Sequence, residues 1–175
     1  MSTHRRWLLL VAGAATIGSA FGETPELGEP LDPDAVAAVD FTVLPDGNGL
    51  PPGAGTAVEG AAVYRSHCLA CHGESGEGGV NDALAGGHGS LTGPSPTKTV
   101  GSFWPYATTV FDYVRRAMPF QSPGTLTNDE IYAVTAYVLY LNGIVGEDQE
   151  MNAESLPVVA MPNRDNFVWG YPPAQ

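Results

Sequence analysis

A chain of 175 residues with 19 acidic and 7 basic side chains carries a net charge of −12, and its length fits one domain with extensions better than two domains. The acid excess argues against nucleic acid and anionic membrane surfaces as partners and favours solubility and a partner with a basic docking face. With 22 glycines and 15 prolines, many turns, few long elements and a small core are expected, so something beyond side-chain packing has to stabilise it.

In chain order, His4, Arg5 and Arg6 form a basic start and "WLLLVAGAATIGSA" an apolar run ending in small residues. Residues 1–22 read as a secretory leader, too short and too weakly apolar for a membrane span, with an uncleaved anchor as the alternative. Cleavage after Ala20 or after Gly22 fits equally, and leaves about 153 to 155 residues. Losing Arg5 and Arg6 takes the charge from −12 to −14. No other segment approaches the roughly 20 apolar residues of a transmembrane helix, so the mature chain is expected to be exported and soluble, without membrane contact.

Residues 23–56 are rich in Pro, Gly, Asp and Glu and poor in periodicity; they read as an extended arm that wraps the domain or stays mobile, with a helical turn possible near Asp34 to Val39. Thr56 followed by Glu59 is a capping-box pattern and predicts a helix of about three turns running into Cys68. Residues 73–102 read as loop, long for a compact domain unless it wraps something. "YATTVFDYVRRA" predicts a second helix with Ala107, Val110, Phe111 and Val114 on one face, stopped by Pro119 and Pro123. Thr127 and Glu130 cap a third helix, with Ile131, Val134, Val138 and Leu141 on one face and Gly143 at its end. Residues 144–175 form a tail, and no internal repeat is visible.

The chemistry is concentrated in "HCLACHGESGEGG", which holds the only two cysteines, Cys68 and Cys71, with His72 directly after. A disulfide across so small a loop constrains little. A thioredoxin-like pair needs a βαβ setting, and here a helix leads in. Zinc needs four ligands, and Cys68, Cys71, His72 and His67 are too crowded to surround one tetrahedral ion. Covalent haem remains: C-x-x-C-H is the c-type attachment signature, with two thiols for the vinyl groups and His72 as the proximal ligand. One haem would also give a small glycine-rich chain its core.

Gly60 and Tyr64 extend the motif to G-x-x-x-Y-x-x-x-C-x-x-C-H. With Tyr137 on the late helix, residues 57–143 resemble a class I cytochrome c. The resemblance implies a mainly α fold, with three to four helices around one covalent haem, flanked by the arm and the tail, and little strand. It implies that a small residue on the first helix lets the last helix cross closely.

For the sixth ligand the candidates are Met118, Met151, Met161, His67 and His88, or an open site. Met118, 46 residues after His72 in "RRAMPF", stands where class I cytochromes present their axial methionine. Met161 shares the Met-Pro pairing but reads as tail packing, His67 as a surface residue and His88 as a loop residue. Trp104 and Tyr106 are candidates for the haem pocket. Arg115, Arg116 and, less strongly, Lys98 are candidates for the propionates, with ordinary solvent-exposed helix charges the equal alternative for the two arginines. Pro94 or a nearby carbonyl is the candidate acceptor for the proximal imidazole N–H.

The stretch from Thr99 to Val145, with "MPNRDNF" after it, is similar to the cytochrome c subunits of periplasmic molybdenum sulfite dehydrogenases and of the Sox sulfane dehydrogenase, over roughly residues 41–168. That similarity implies an electron-transfer subunit without catalysis of its own. It would take electrons from a molybdenum sulfite or sulfane dehydrogenase and pass them to a downstream cytochrome c. The usual Sox subunit is dihaem and this chain has one CxxCH, which favours the sulfite-dehydrogenase type. Alternatives are a stand-alone periplasmic carrier, a haem protein with an open sixth site that binds a small ligand, and a structural subunit.

Overall fold

A computed structural model describes residues 27–168 and 170; the leader assigned to 1–22 and the first residues of the arm lie outside the described residues. Five helices account for most of the regular structure: α1 (Pro33–Ala37), α2 (Ala57–His67), α3 (Leu69–His72), α4 (Ala107–Ala117) and α5 (Asn128–Leu141). Two short strands, β1 (Ala54–Gly55) and β2 (Met151–Asn152), pair antiparallel with Ala54 opposite Asn152, so the end of the arm meets the start of the tail. Three to four helices were expected. The difference lies in two single turns, α1 in the arm and α3, which the cysteine motif itself forms after Cys68 closes α2. Among the described residues no helix is long and apolar enough to cross a membrane.

The helix starts follow from local chemistry. In both α2 and α5 a threonine side chain accepts from the backbone of the third residue while that residue's glutamate accepts from the threonine's N–H. Each such cap satisfies donors the helix cannot and contributes about 1 kcal/mol. α4 has no side-chain cap at Tyr106, so tertiary contacts must hold it.

The core forms where α2 crosses α5. Gly60 is buried in α2, and a Cβ there would overlap the carbonyl of Ala133; Gly55 likewise meets Ala133 from β1. One turn beyond Gly60, Tyr64 packs on Tyr137 with ring centroids 5.2 Å apart and donates its hydroxyl to the Gly73 carbonyl at 2.9 Å. Phe111 of α4 meets Tyr132 of α5 at 4.4 Å between centroids. The arm wraps the domain: Tyr132 donates to the Pro51 carbonyl at 2.9 Å and Asp129 accepts from the Ala54 amide at 2.9 Å. The tail contributes Met151, Leu156, Val159 and Met161 to the same core.

Burial pushes the Tyr64 phenol up to about 12, with Cys68 and Glu77 adding to it. Burial, with Glu154 adding, does the same for Tyr132. An unfolded tyrosine ionises near 10. The folded chain therefore holds these protons more tightly, so stability present below pH 10 is lost as pH rises through about 12. Urea denaturation at about pH 9 and about pH 11 should show this loss, and Tyr64→Phe or Tyr132→Phe should each reduce it. An unchanged loss in both variants would refute the assignment.

Candidate functional site

A cavity of about 500 Å³ opens between the cysteine motif, the loop after it, α4 and α5. Four elements supply its chemistry. The end of α2 and all of α3 bring His67, Cys68, Cys71 and His72 to the wall; α4 brings Val110, Tyr113 and Val114 and ends on Met118; α5 brings Val134 and Val138. The loop between α3 and α4 supplies Leu84, Lys98, Val100 and Trp104 among others, and the loop after α4 adds Pro119, Phe120, Gln121 and Leu126.

The motif is held by its own loop. After Gly73, which turns with φ 83°, the chain folds back so that the Gly78 amide donates to the His72 carbonyl and the Asn81 amide to the Cys71 carbonyl. That return places the Asp82 carbonyl 2.8 Å from His72 Nδ1. A carbonyl only accepts, so Nδ1 carries the proton and Nε2 keeps its lone pair for a metal. Pro94 is thus not the partner of the imidazole. The acceptor comes from the near side of the loop, because the turn at Gly73 brings residues 78–82 back over the motif first. Farther along, Asn142 at the end of α5 ties the loop down: its Nδ2 donates to the Leu84 carbonyl at 3.0 Å and its Oδ1 accepts from the Gly86 amide at 3.2 Å.

The cavity brings together Cys68, Cys71, His72, Met118 and Trp104 from the sequence candidates, and Lys98 with them. Trp104 stands edge-on to Tyr113 with centroids 5.8 Å apart. Tyr106 lies outside the lining, under the Arg164 guanidinium at 5.2 Å. Arg116 is also outside it, paired with Asp112 one turn earlier, and Arg115 reaches the Phe41 carbonyl at 3.2 Å. Arg115 is taken up by the arm and Arg116 by Asp112, because α4 turns its apolar residues to the cavity and its charges away from it. Lys98 is the lysine or arginine that lines the cavity. His67 lines the cavity while remaining exposed; His88 is exposed and Met161 is buried in the core, and neither lines the cavity. Sequence reasoning missed Asp82, Asn142 and Asp112. Asp112 alone had a local sign, its i,i+4 spacing to Arg116.

Among the described residues no three His, Cys, Asp or Glu side chains converge on a bare metal ion. The wall offers two thiols, one oriented imidazole, one thioether and otherwise mostly apolar side chains. Burial, with Cys71 adding to it, pushes the Cys68 thiol up to about 11, so in this setting it is a neutral sulfur rather than a thiolate. That set fits a flat, apolar macrocycle that brings its own equatorial ligands and is attached through sulfur.

Comparison with known proteins bears on the same residues. The family model described as Cytochrome c matches residues 57–142. No curated protein sequence matches the chain. Among solved structures, a chain of the sulfane dehydrogenase SoxCD from Paracoccus pantotrophus is 46% identical, with a TM-score of 0.77, over 83% of this chain and 72% of its own. A chain of the thiosulfate dehydrogenase TsdBA from Marichromatium purpuratum, in its as-isolated form, is 27% identical over 48% of this chain and 17% of its own, with a TM-score of 0.37.

Proposed function

The chain belongs to the cytochrome c family, with a class I fold and a covalently bound c-type haem, and from that premise we propose that it is the monohaem electron-transfer subunit of a periplasmic molybdenum sulfite or sulfane dehydrogenase. The observation that carries this reading is the 46% identity to a chain of a sulfane dehydrogenase across most of both chains. The apolar, basic start of the sequence supports export with removal of residues 1–22, and a downstream cytochrome c is the expected acceptor.

When bound, the haem supplies a one-electron iron couple. The chain's residues hold and tune it. Cys68 and Cys71 would fix it through sulfur, and His72 would present Nε2 because the Asp82 carbonyl holds the proton on Nδ1. Met118 would offer its thioether to the iron, a weak sulfur donor that favours the reduced state. Lys98 is the propionate partner in place of Arg116, and Val100, Trp104 and Val114 exclude water. Among the lining residues, three large apolar or aromatic side chains stay open to solvent: Val80 at 80% exposure, Phe120 at 72% and Tyr113 at 50%. This apolar rim on an acidic chain is where a partner would approach closely enough for electron transfer.

The test is to mix holo-protein with a co-expressed sulfite or sulfane dehydrogenase and follow the haem spectrum after adding substrate. Reduction only when the dehydrogenase is present is the expected result. Reduction by ascorbate but not by the dehydrogenase with either substrate would sink the partner assignment and favour a stand-alone carrier. Val80→Lys and Phe120→Lys should each slow that reduction about tenfold, the scale of losing one well-packed interface contact. An unchanged rate in both would move the docking face elsewhere.

A further inference from the structure

The arm does more than cover the domain. Between Phe41 and Pro45 it runs along the back of α4, antiparallel to it, and three side chains of the helix bind it in turn. Arg115 donates to the Phe41 carbonyl at 3.2 Å, with its guanidinium 5.8 Å from the Phe41 ring centre. Asp112 accepts from the Val43 amide at 2.9 Å. Thr108 donates to the Pro45 carbonyl at 3.2 Å. Four steps of extended chain span about 13 Å and the seven helical steps from 108 to 115 about 10 Å, so the two run nearly in step.

Residues 108, 112 and 115 follow the i, i+4, i+7 spacing of one helix face. Val110, Tyr113 and Val114, which line the cavity, lie on the other face. The helix is therefore held between the strap and the haem cavity. Asp112 is the centre of the clamp: it is buried, at 6% exposure, and its second oxygen takes Arg116. The Val43–Asp112 bond is itself buried, and a buried carboxylate bond is the kind whose loss costs most. α4 has no side-chain cap at its start, and its last backbone bond joins the Met118 amide to the Val114 carbonyl at 3.0 Å. The strap lies ahead of residues 57–142 and so outside the matched domain.

We propose that the strap of residues 41–45, anchored on Asp112, is a positioning device for Met118: it fixes the register of α4 and so keeps the thioether at the iron. This rests on Met118 as the sixth ligand. Without the anchor, the last turn of α4 frays and an outside ligand competes for the iron more easily.

The experiment uses full-length holo-protein: wild type, Asp112→Ala, an Arg115→Ala/Thr108→Val double variant, and Met118→Ala. Two readouts are taken on ferric protein, the affinity for added imidazole and the amide-exchange protection of Met118 relative to Ala136 and Leu139 in α5. For Asp112→Ala the expected result is imidazole bound at least about tenfold more tightly, the scale of one hydrogen bond to a charged group, with protection lost at Met118 and kept in α5. If Asp112→Ala yields no holo-protein, the double variant decides by the same criteria. Affinity within twofold of wild type, or protection lost equally in both helices, overturns the proposal. Met118→Ala separates this from failure of the ligand assignment. If that variant keeps the wild-type sulfur-to-iron band, Met118 is not the ligand and the positioning role falls with it. If it loses the band while Asp112→Ala behaves as wild type, only the strap role is wrong.

Discussion

Gly60→Ala should destabilise the holo-protein by at least about 3 kcal/mol, although alanine is the better helix former by about 1 kcal/mol. The sign is what makes the experiment informative. At an exposed helix position the same change would stabilise α2 through propensity alone. At Gly60 the new Cβ would overlap the Ala133 carbonyl, which is backbone and cannot rotate aside. The helices must separate along the whole crossing, which loosens Ala57 and Tyr64 on α2 and Ala133 and Ala136 on α5, all buried. Tyr64 would also lose its place on Tyr137 and its bond to Gly73, which opens the loop carrying the Asp82 carbonyl. The effect should reach the haem site as well as the core. Thermal unfolding followed by helix circular dichroism measures it, with an expected fall in midpoint temperature of roughly 10 °C or more. A variant as stable as wild type would mean that the helices do not cross as closely as the fold requires.

That crossing was legible in the sequence because the signal is local and steric: a glycine eight residues before Cys68, with a tyrosine between, on a helix opened by Thr56 and Glu59. The same holds for Thr127 and Glu130, whose capping box lies within four residues. The attachment motif is likewise contiguous, so Cys68, Cys71 and His72 could be named together. What the sequence hid are bonds that join distant residues and leave no periodic trace. Val43 meets Asp112 across 69 positions and Asn142 meets Leu84 across 58. The Asp82 acceptor is a main-chain carbonyl, which no side chain marks. The Arg116 guanidinium suits a propionate by its chemistry, while Asp112 four residues earlier takes it at closer range. The tail is rich in Pro and polar residues and yet gives Met151, Leu156, Val159 and Met161 to the core, because buried residues scattered among turns have no recognisable period.

Met118→Ala should lower the reduction potential by on the order of 0.1 to 0.3 V, a substantial part of the roughly 0.8 V that axial ligands span. A thioether is a weak donor that favours ferrous over ferric iron, and its replacement by water or hydroxide reverses that preference. Met118 terminates α4 at the wall of the cavity that His72 also lines, and it is half-buried, so removing it opens the site to solvent. The holo-protein, made in cells with haem-attachment machinery, should show a low-spin spectrum with a sulfur-to-iron band. Met118→Ala should lose that band and turn largely high-spin, and its reduced form should bind carbon monoxide. Met161→Ala should keep the band, since Met161 packs in the core away from the cavity lining, and its cost should appear as stability, about 2 to 5 kcal/mol for a buried methionine. The two variants thus divide potential from stability. If Met161→Ala lost the band and Met118→Ala kept it, the tail would be part of the haem site and the assignment of α4 as the ligand helix would be wrong. A high-spin wild type would mean an open sixth position, and small-ligand binding would replace electron transfer as the reading of this cavity.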